Sequence, residues 1–158
     1  MVSVSGGPFC VDDAASNLTG SPVGGTFSGT GVSAAGSFDP AIAGVGSHAI
    51  TYTFTDTNGC ENSATVNVVV NALPVVSVSG GPFCVDDAAS NLTGSPAGGT
   101  FSGTGVSAGG SFDPATAGVG THVITYTFTD TNGCENSATA NVVVNLSLIH
   151  ISEPTRPY

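Results

Sequence analysis

Sliding the chain along itself by 74 residues lays Val2–Asn71 on Val76–Asn145 with six differences: Val23 against Ala97, Ala35 against Gly109, Ile42 against Thr116, Ser47 against Thr121, Ala49 against Val123, and Val66 against Ala140. Whatever the chain folds into, it folds into twice. All six changes conserve bulk or fall in expected turns, so both copies should share one fold. The expected organisation is repeat 1 over residues 1–73, repeat 2 over residues 74–145, and a separate tail over residues 146–158. A unit of about 70 residues is small enough that a hydrophobic core alone is only marginally stabilising, and a further constraint is often present.

Within each copy the longest patterned stretch is HAITYTFTDTNGCENSATVNVVVN, His48–Asn71, which returns from His122 to Asn145. Ile50, Tyr52 and Phe54 alternate with Thr51, Thr53 and Thr55, the period of two expected of a half-buried strand. After Asp56-Thr57-Asn58-Gly59-Cys60, the residues Ala64, Val66, Val68 and Val70 continue the apolar face. Asn-Gly accepts positive φ and reverses the chain, so the stretch predicts a β-hairpin.

Short strand signals precede it at Val2–Ser5, Asn17–Thr19, Thr26–Ser28 and Ser37–Asp39, separated by Gly6-Gly7-Pro8, Gly20-Ser21-Pro22 and Gly24-Gly25. Asp12-Asp13-Ala14-Ala15 is too short for a stable helix. Six or seven short strands per copy, with turn signals between them and no helical period, predict an all-β chain of two antiparallel β-sandwich domains. The connection Asn71-Ala72-Leu73-Pro74-Val75 is short and holds one proline, which predicts a restricted joint.

The 4 cysteines fall two to a copy, as Cys10 and Cys60, then Cys84 and Cys134. No CxxC spacing or histidine cluster suggests zinc. Bridges within each copy, Cys10 to Cys60 and Cys84 to Cys134, are the expected pairing, with reduced buried thiols as the competing reading. Closing a loop of about 50 residues would stabilise a copy by about 4 kcal/mol in the chain-entropy model. An oxidising, extracellular or cell-surface setting follows.

Lys and Arg together number 1, against 11 Asp and Glu, for a formal net charge of -10. That single cation, Arg156, lies in the tail, so nothing in the repeats can neutralise phosphate, and nucleic acid is excluded as an expected partner. No apolar run approaches the roughly 18 residues that would mark a membrane span, so no membrane insertion of this segment is expected. Met1 stands where the second copy has Val75, which reads as an internal codon taken for a start. The tail LSLIHISEPTRPY breaks the repeat abruptly and resembles a translated sequencing adapter, so it is read as non-native and the chain as a fragment of metagenomic kind.

The segments GGTFSGTGV, SFDPATAGVG and TYTFTDTNGC, in that order and spacing, resemble the Ig-like or PKD-like tandem repeats of large secreted and surface proteins in bacteria that use type IX secretion. The resemblance covers residues 2–145. It implies two tandem Ig-like β-sandwich domains serving as an extracellular spacer or adhesion module, with neighbouring repeats of the same array as partners and surface glycan or protein as further partners.

Few residues suggest chemistry. Asp56, Asn58 and Glu61, with Asp130, Asn132 and Glu135, offer the oxygen ligands a structural calcium ion prefers, but their spacing is not that of an EF-hand, and Asp-x-Asn-Gly is ordinary turn chemistry. Asp12 and Asp13 would join them if Cys10 bonds Cys60. His48 and His122 open the long strands without a sequence neighbour that would make a triad, and are read as strand-edge hydrogen-bonding residues. Asn17-Leu18-Thr19 and Asn91-Leu92-Thr93 match the glycosylation pattern and are read as polar turns. Phe27, Phe38, Tyr52 and Phe54 are assigned to the core. No catalytic residue and no cofactor is expected. The function expected is a non-catalytic structural or adhesion repeat of a larger bacterial protein, with a glycan- or ligand-binding accessory domain of a secreted hydrolase as the alternative.

Overall fold

The structure, a computed structural model, describes residues 3–147, with side chains from Gly6 onward; Met1 and most of the segment read as adapter-derived lie outside the described residues. The described residues are all-β apart from two single-turn helices. It divides into two compact units. The first runs to Pro74 and includes Thr129–Glu135; the second holds Val75–Phe128 and the chain from Asn136 onward.

In the first copy the elements are β1 (Ser3–Ser5), β2 (Phe9–Cys10), β3 (Ser16–Asn17), β4 (Thr19–Ser21), β5 (Thr26–Ser28), β6 (Ser37–Phe38), α1 (Pro40–Ala43), β7 (Gly46–Thr55) and β8 (Glu61–Asn71). The predicted hairpin is β7 and β8, antiparallel, with Tyr52 opposite Ala64, Ile50 opposite Val66 and His48 opposite Val68. Around it forms a four-stranded sheet in the order β2-β8-β7-β5, and two-stranded pairs β1-β4 and β3-β6 complete the copy. The edge strands β2 and β5 are only two and three residues long, which limits edge-to-edge pairing where no Lys or Arg is present to block it.

The inward face of the hairpin makes the core. Ile50, Tyr52, Val68 and Val70 are buried together with Leu18, Phe27 and Phe38, and Phe9, Phe54 and Val66 pack against them. Each such side chain contributes on the order of 1.5–3 kcal/mol when fully buried. The rings of Phe27 and Tyr52 lie 4.6 Å apart and tilted, in the range favoured for aromatic pairs.

Tyr52 has a second role. Its hydroxyl donates to the Pro22 carbonyl oxygen at 2.5 Å and accepts the Gly25 N–H at 2.7 Å, tying the Pro22–Gly25 turn to the hairpin. Glycines make this approach feasible: a Cβ on Gly20 would stand 2.5 Å from the Tyr52 ring, and one on Gly25 2.4 Å from the Thr53 carbonyl oxygen.

The second copy repeats this plan as β9 (Ser77–Ser79), β10 (Phe83–Cys84), β11 (Ser90–Asn91), β12 (Thr93–Ser95), β13 (Thr100–Ser102), β14 (Ser111–Phe112), α2 (Pro114–Ala117), β15 (Gly120–Thr129) and β16 (Glu135–Asn145). Its sheet order, β10-β16-β15-β13, matches. Five of the six differing positions are exposed in both copies, and only Val66/Ala140 reaches the half-buried inner face, which is why the substitutions leave the fold unchanged.

One expectation is corrected. The sheets are not purely antiparallel, because β2 runs parallel to β8 with Phe9 opposite Val70 and Cys10 opposite Asn71, and β10 does the same on β16. The two helices are single turns. Asp39 caps α1, its Oδ1 accepting from Ala41 N–H at 3.0 Å and Ile42 N–H at 3.3 Å, and Pro40 fills the first helical position, where its missing N–H removes nothing.

Removing the Tyr52 hydroxyl leaves the half-buried Pro22 carbonyl and Gly25 N–H without their shared partner. Tyr52→Phe is expected to cost the first unit about 1–3 kcal/mol. Gly20→Ala should cost at least as much by forcing the ring to move. Urea unfolding followed by circular dichroism measures both; a Tyr52→Phe midpoint equal to the parent's would show that the bonds contribute nothing.

Candidate functional site

The chemistry-bearing side chains collect at the two ends of each long hairpin. At the tip of the first, Asp56 turns inward on its own loop: Oδ1 accepts the N–H of Asn58 at 2.8 Å and of Cys60 at 2.9 Å, and Oδ2 accepts from Asn58 Nδ2 at 3.4 Å. The backbone closes beneath it, Asp56 N–H to Cys60 carbonyl oxygen at 2.9 Å, with Gly59 at φ 81°. Asp130 holds Asn132 and Cys134 in the same way in the second copy. The tip carboxylates and Asn side chains expected as calcium ligands therefore hydrogen-bond one another and the turn. Glu61 and Glu135 are exposed beside them, and Glu135 accepts from Thr129 Oγ1 at 3.2 Å.

These bonds favour the ionised form. Asp56 is held below its ordinary 3.8, first by the Cys60 N–H and then by the Asn58 N–H. Asp130 is lowered in the same manner, with the Cys134 N–H first. Asp113 is lowered chiefly by the Thr116 hydroxyl, which donates to its Oδ2 at 2.6 Å, a bond that Ile42 cannot supply in the first copy.

The histidines have a structural setting. His48 Nε2 lies 2.7 Å from the Gly44 carbonyl oxygen and His122 Nε2 lies 2.8 Å from that of Gly118. A carbonyl only accepts, so Nε2 carries the proton, and the ring joins the start of the long strand to the residue ending the helix. Asn17 is exposed on β3.

The cysteines are arranged differently from the expectation. Cys10 is bonded to Cys134, with Cα atoms 5.5 Å apart, while Cys60 and Cys84 are free and exposed. The bridges Cys10–Cys60 and Cys84–Cys134 do not form, and the parallel pairing of β2 on β8 explains why. Cys10 lies opposite Asn71, the last residue of β8, whereas Cys60 immediately precedes Glu61, the first. Eleven extended residues separate the two ends by about 33 Å, far beyond a disulfide's roughly 4–7 Å Cα reach. Cys84 and Cys134 stand at opposite ends of β16 for the same reason. Asp12 and Asp13 likewise sit at the end away from Asp56 and cannot join it as ligands. Asp13 instead accepts the Cys10 N–H at 2.7 Å.

Among the described residues, the acidic or thiol donors that come within 4.8 Å of one another as a group are Cys84, Asp86 and Asp87, all exposed. Two of them have hydrogen-bond partners: Asp87 accepts the Cys84 N–H at 2.7 Å, and Asp86 accepts from Ser147 Oγ, 61 residues away in sequence, at 2.8 Å. A shallow depression of about 380 Å³ lies over Ala15, Val32, Ser33, Asp39 and Ile42 and is open to solvent. No helix among the described residues is long and apolar enough to cross a membrane. Compared with known proteins, the chain matches no family model and no curated protein.

A carboxyl held lower in the folded than in the unfolded chain stabilises the fold while it is ionised. Its contribution is complete above the ordinary value and is lost as the pH falls through the lowered one. The melting temperature is therefore expected to fall as the pH drops below 3.8, the ordinary value for Asp56 and Asp130. The double variant Asp56→Asn, Asp130→Asn keeps an acceptor oxygen but cannot titrate, and should show a shallower decline in melting curves over the same range. An unchanged slope would place the pH sensitivity elsewhere.

Proposed function

We propose that the chain is a piece of an array of Ig-like repeats on a bacterial surface or secreted protein, a non-catalytic module that spaces or displays other domains. The observation that carries this reading is the near-identity of two complete units in which the polar side chains are spent on the fold itself: Asp39 on a helix cap, Asp56 on a turn, His48 on a carbonyl, Tyr52 on a loop. The disulfide supports an oxidising setting. The resemblance of GGTFSGTGV, SFDPATAGVG and TYTFTDTNGC to the repeats of type IX-secreted proteins supports the bacterial surface in particular.

The glycan-binding alternative needs an aromatic platform. Among the described residues no Phe or Tyr is exposed, and this counts against it.

Antibody raised against the chain is expected to label intact cells of the bacterium that carries the reading frame, and to lose its target when those cells are treated with external protease. Labelling confined to lysed cells would contradict the proposal.

A further inference from the structure

The two free cysteines repeat, residue for residue, the two that are bonded. Cys84 is the counterpart of Cys10 and Cys60 of Cys134, by the same shift of 74 residues. Their backbone settings also match. Cys84 pairs with Asn145 in a parallel register and gives its N–H to Asp87 at 2.7 Å, as Cys10 pairs with Asn71 and gives its N–H to Asp13 at 2.7 Å. Cys60 gives its N–H to Asp56 at 2.9 Å, as Cys134 does to Asp130 at 2.9 Å. What separates the pairs is occupancy: Cys134 is buried in its bond, while Cys60 and Cys84 are exposed thiols.

The bond that exists follows a rule. It joins the β2-end cysteine of one copy to the hairpin-tip cysteine of the copy that follows it in sequence. Because the two cysteines of a copy stand about 33 Å apart on its own hairpin, neither can be satisfied within that copy. Applied again, the rule leaves a β2-end cysteine, Cys84, seeking the tip of a further copy, and a tip cysteine, Cys60, seeking the β2 end of another.

We infer that Cys84 and Cys60 are the two open halves of a head-to-tail covalent link, and that each takes as its partner another copy of this same repeat. In an array the partner would be the next repeat along; in this chain on its own, it is Cys60 of a second molecule for Cys84 of the first. The inference deepens the array reading and rests on it.

The bond requires a two-electron oxidant, for which a small-molecule disulfide such as oxidised glutathione suffices. The Cys84 thiolate attacks the glutathione disulfide, forming a mixed disulfide and releasing one glutathione thiolate. The Cys60 thiolate of the second molecule then attacks the Cys84 sulfur and releases the other. Two protein thiols lose two protons and two electrons, and one glutathione disulfide becomes two thiols.

The test is oxidation of the concentrated chain with oxidised glutathione, followed by non-reducing electrophoresis and mass-spectrometric mapping of linked peptides. A ladder of multimers joined by Cys60–Cys84 peptides is expected, with Cys10–Cys134 retained and the ladder collapsing on reduction. Cys60→Ser and Cys84→Ser, both at exposed positions outside the existing bridge, should each stay monomeric alone and give a dimer and nothing larger when mixed. Dimers of either variant alone, a Cys60–Cys84 bond closed within one molecule, Cys10–Cys60 or Cys84–Cys134 peptides, or thiols that remain free would each overturn the link. Free thiols on a chain that antibody still finds at the cell surface would reject the link and leave the array reading standing.

Discussion

The cross-strand ladder between β7 and β8, with its copy between β15 and β16, is the interaction on which every other part of each unit depends. Ten residue pairs run from Gly46–Val70 to Thr55–Glu61. Among the described residues, no other element apart from β15 and β16 exceeds four residues. A strand of two or three residues cannot persist alone, so β2 and β5 exist because the hairpin offers them a hydrogen-bonding edge. The inner face of that ladder, from Ile50 to Val70, is also the floor of the core. Its outer face is mostly Thr, Ser and Asn, with Ala49 and Val69 exposed among them, and Thr51 and Thr65 bond across it through their hydroxyls at 2.9 Å.

Around this ladder the fold is held by short polar connections. A chain with one Lys or Arg in all cannot rely on ion pairs, and its carboxylates turn instead to backbone N–H groups. Asp13, Asp39 and Asp56 each hold a turn or cap by accepting from N–H groups within four residues. The disulfide adds a constraint of a different range, joining residues 124 apart in sequence. The hairpin's length decides its connectivity by holding each copy's cysteines too far apart to meet.

Much of this was legible in the sequence, for identifiable reasons. The alternation of Ile50, Tyr52, Val68 and Val70 announces its inward face because a strand's side chains must alternate, and Asn58-Gly59 announces its turn. Asp39-Pro40 carries a helix-cap signal, but one turn of helix has no period to detect, and by strand pattern alone Asp39 reads as the end of β6. The cysteine pairing could not be read. It depends on β2 lying parallel to β8, a contact between residues 61 apart that no local pattern encodes, as Phe9 opposite Val70 shows. Two cysteines per copy suggested pairs within copies, and only the distance along β8 excludes them. At the tip, the acidic residues were visible, but the spending of Asp56 on its own turn became clear only from the geometry.

Native-state hydrogen exchange tests the hairpin's organising role most directly. The slowest-exchanging amides of each unit are expected in Ile50–Phe54 and Ala64–Val70 and at the matching positions of the second copy, with β3, β6, β11 and β14 exchanging well before them. Equal protection in those two-residue strands, or a hairpin that opens first, would contradict it.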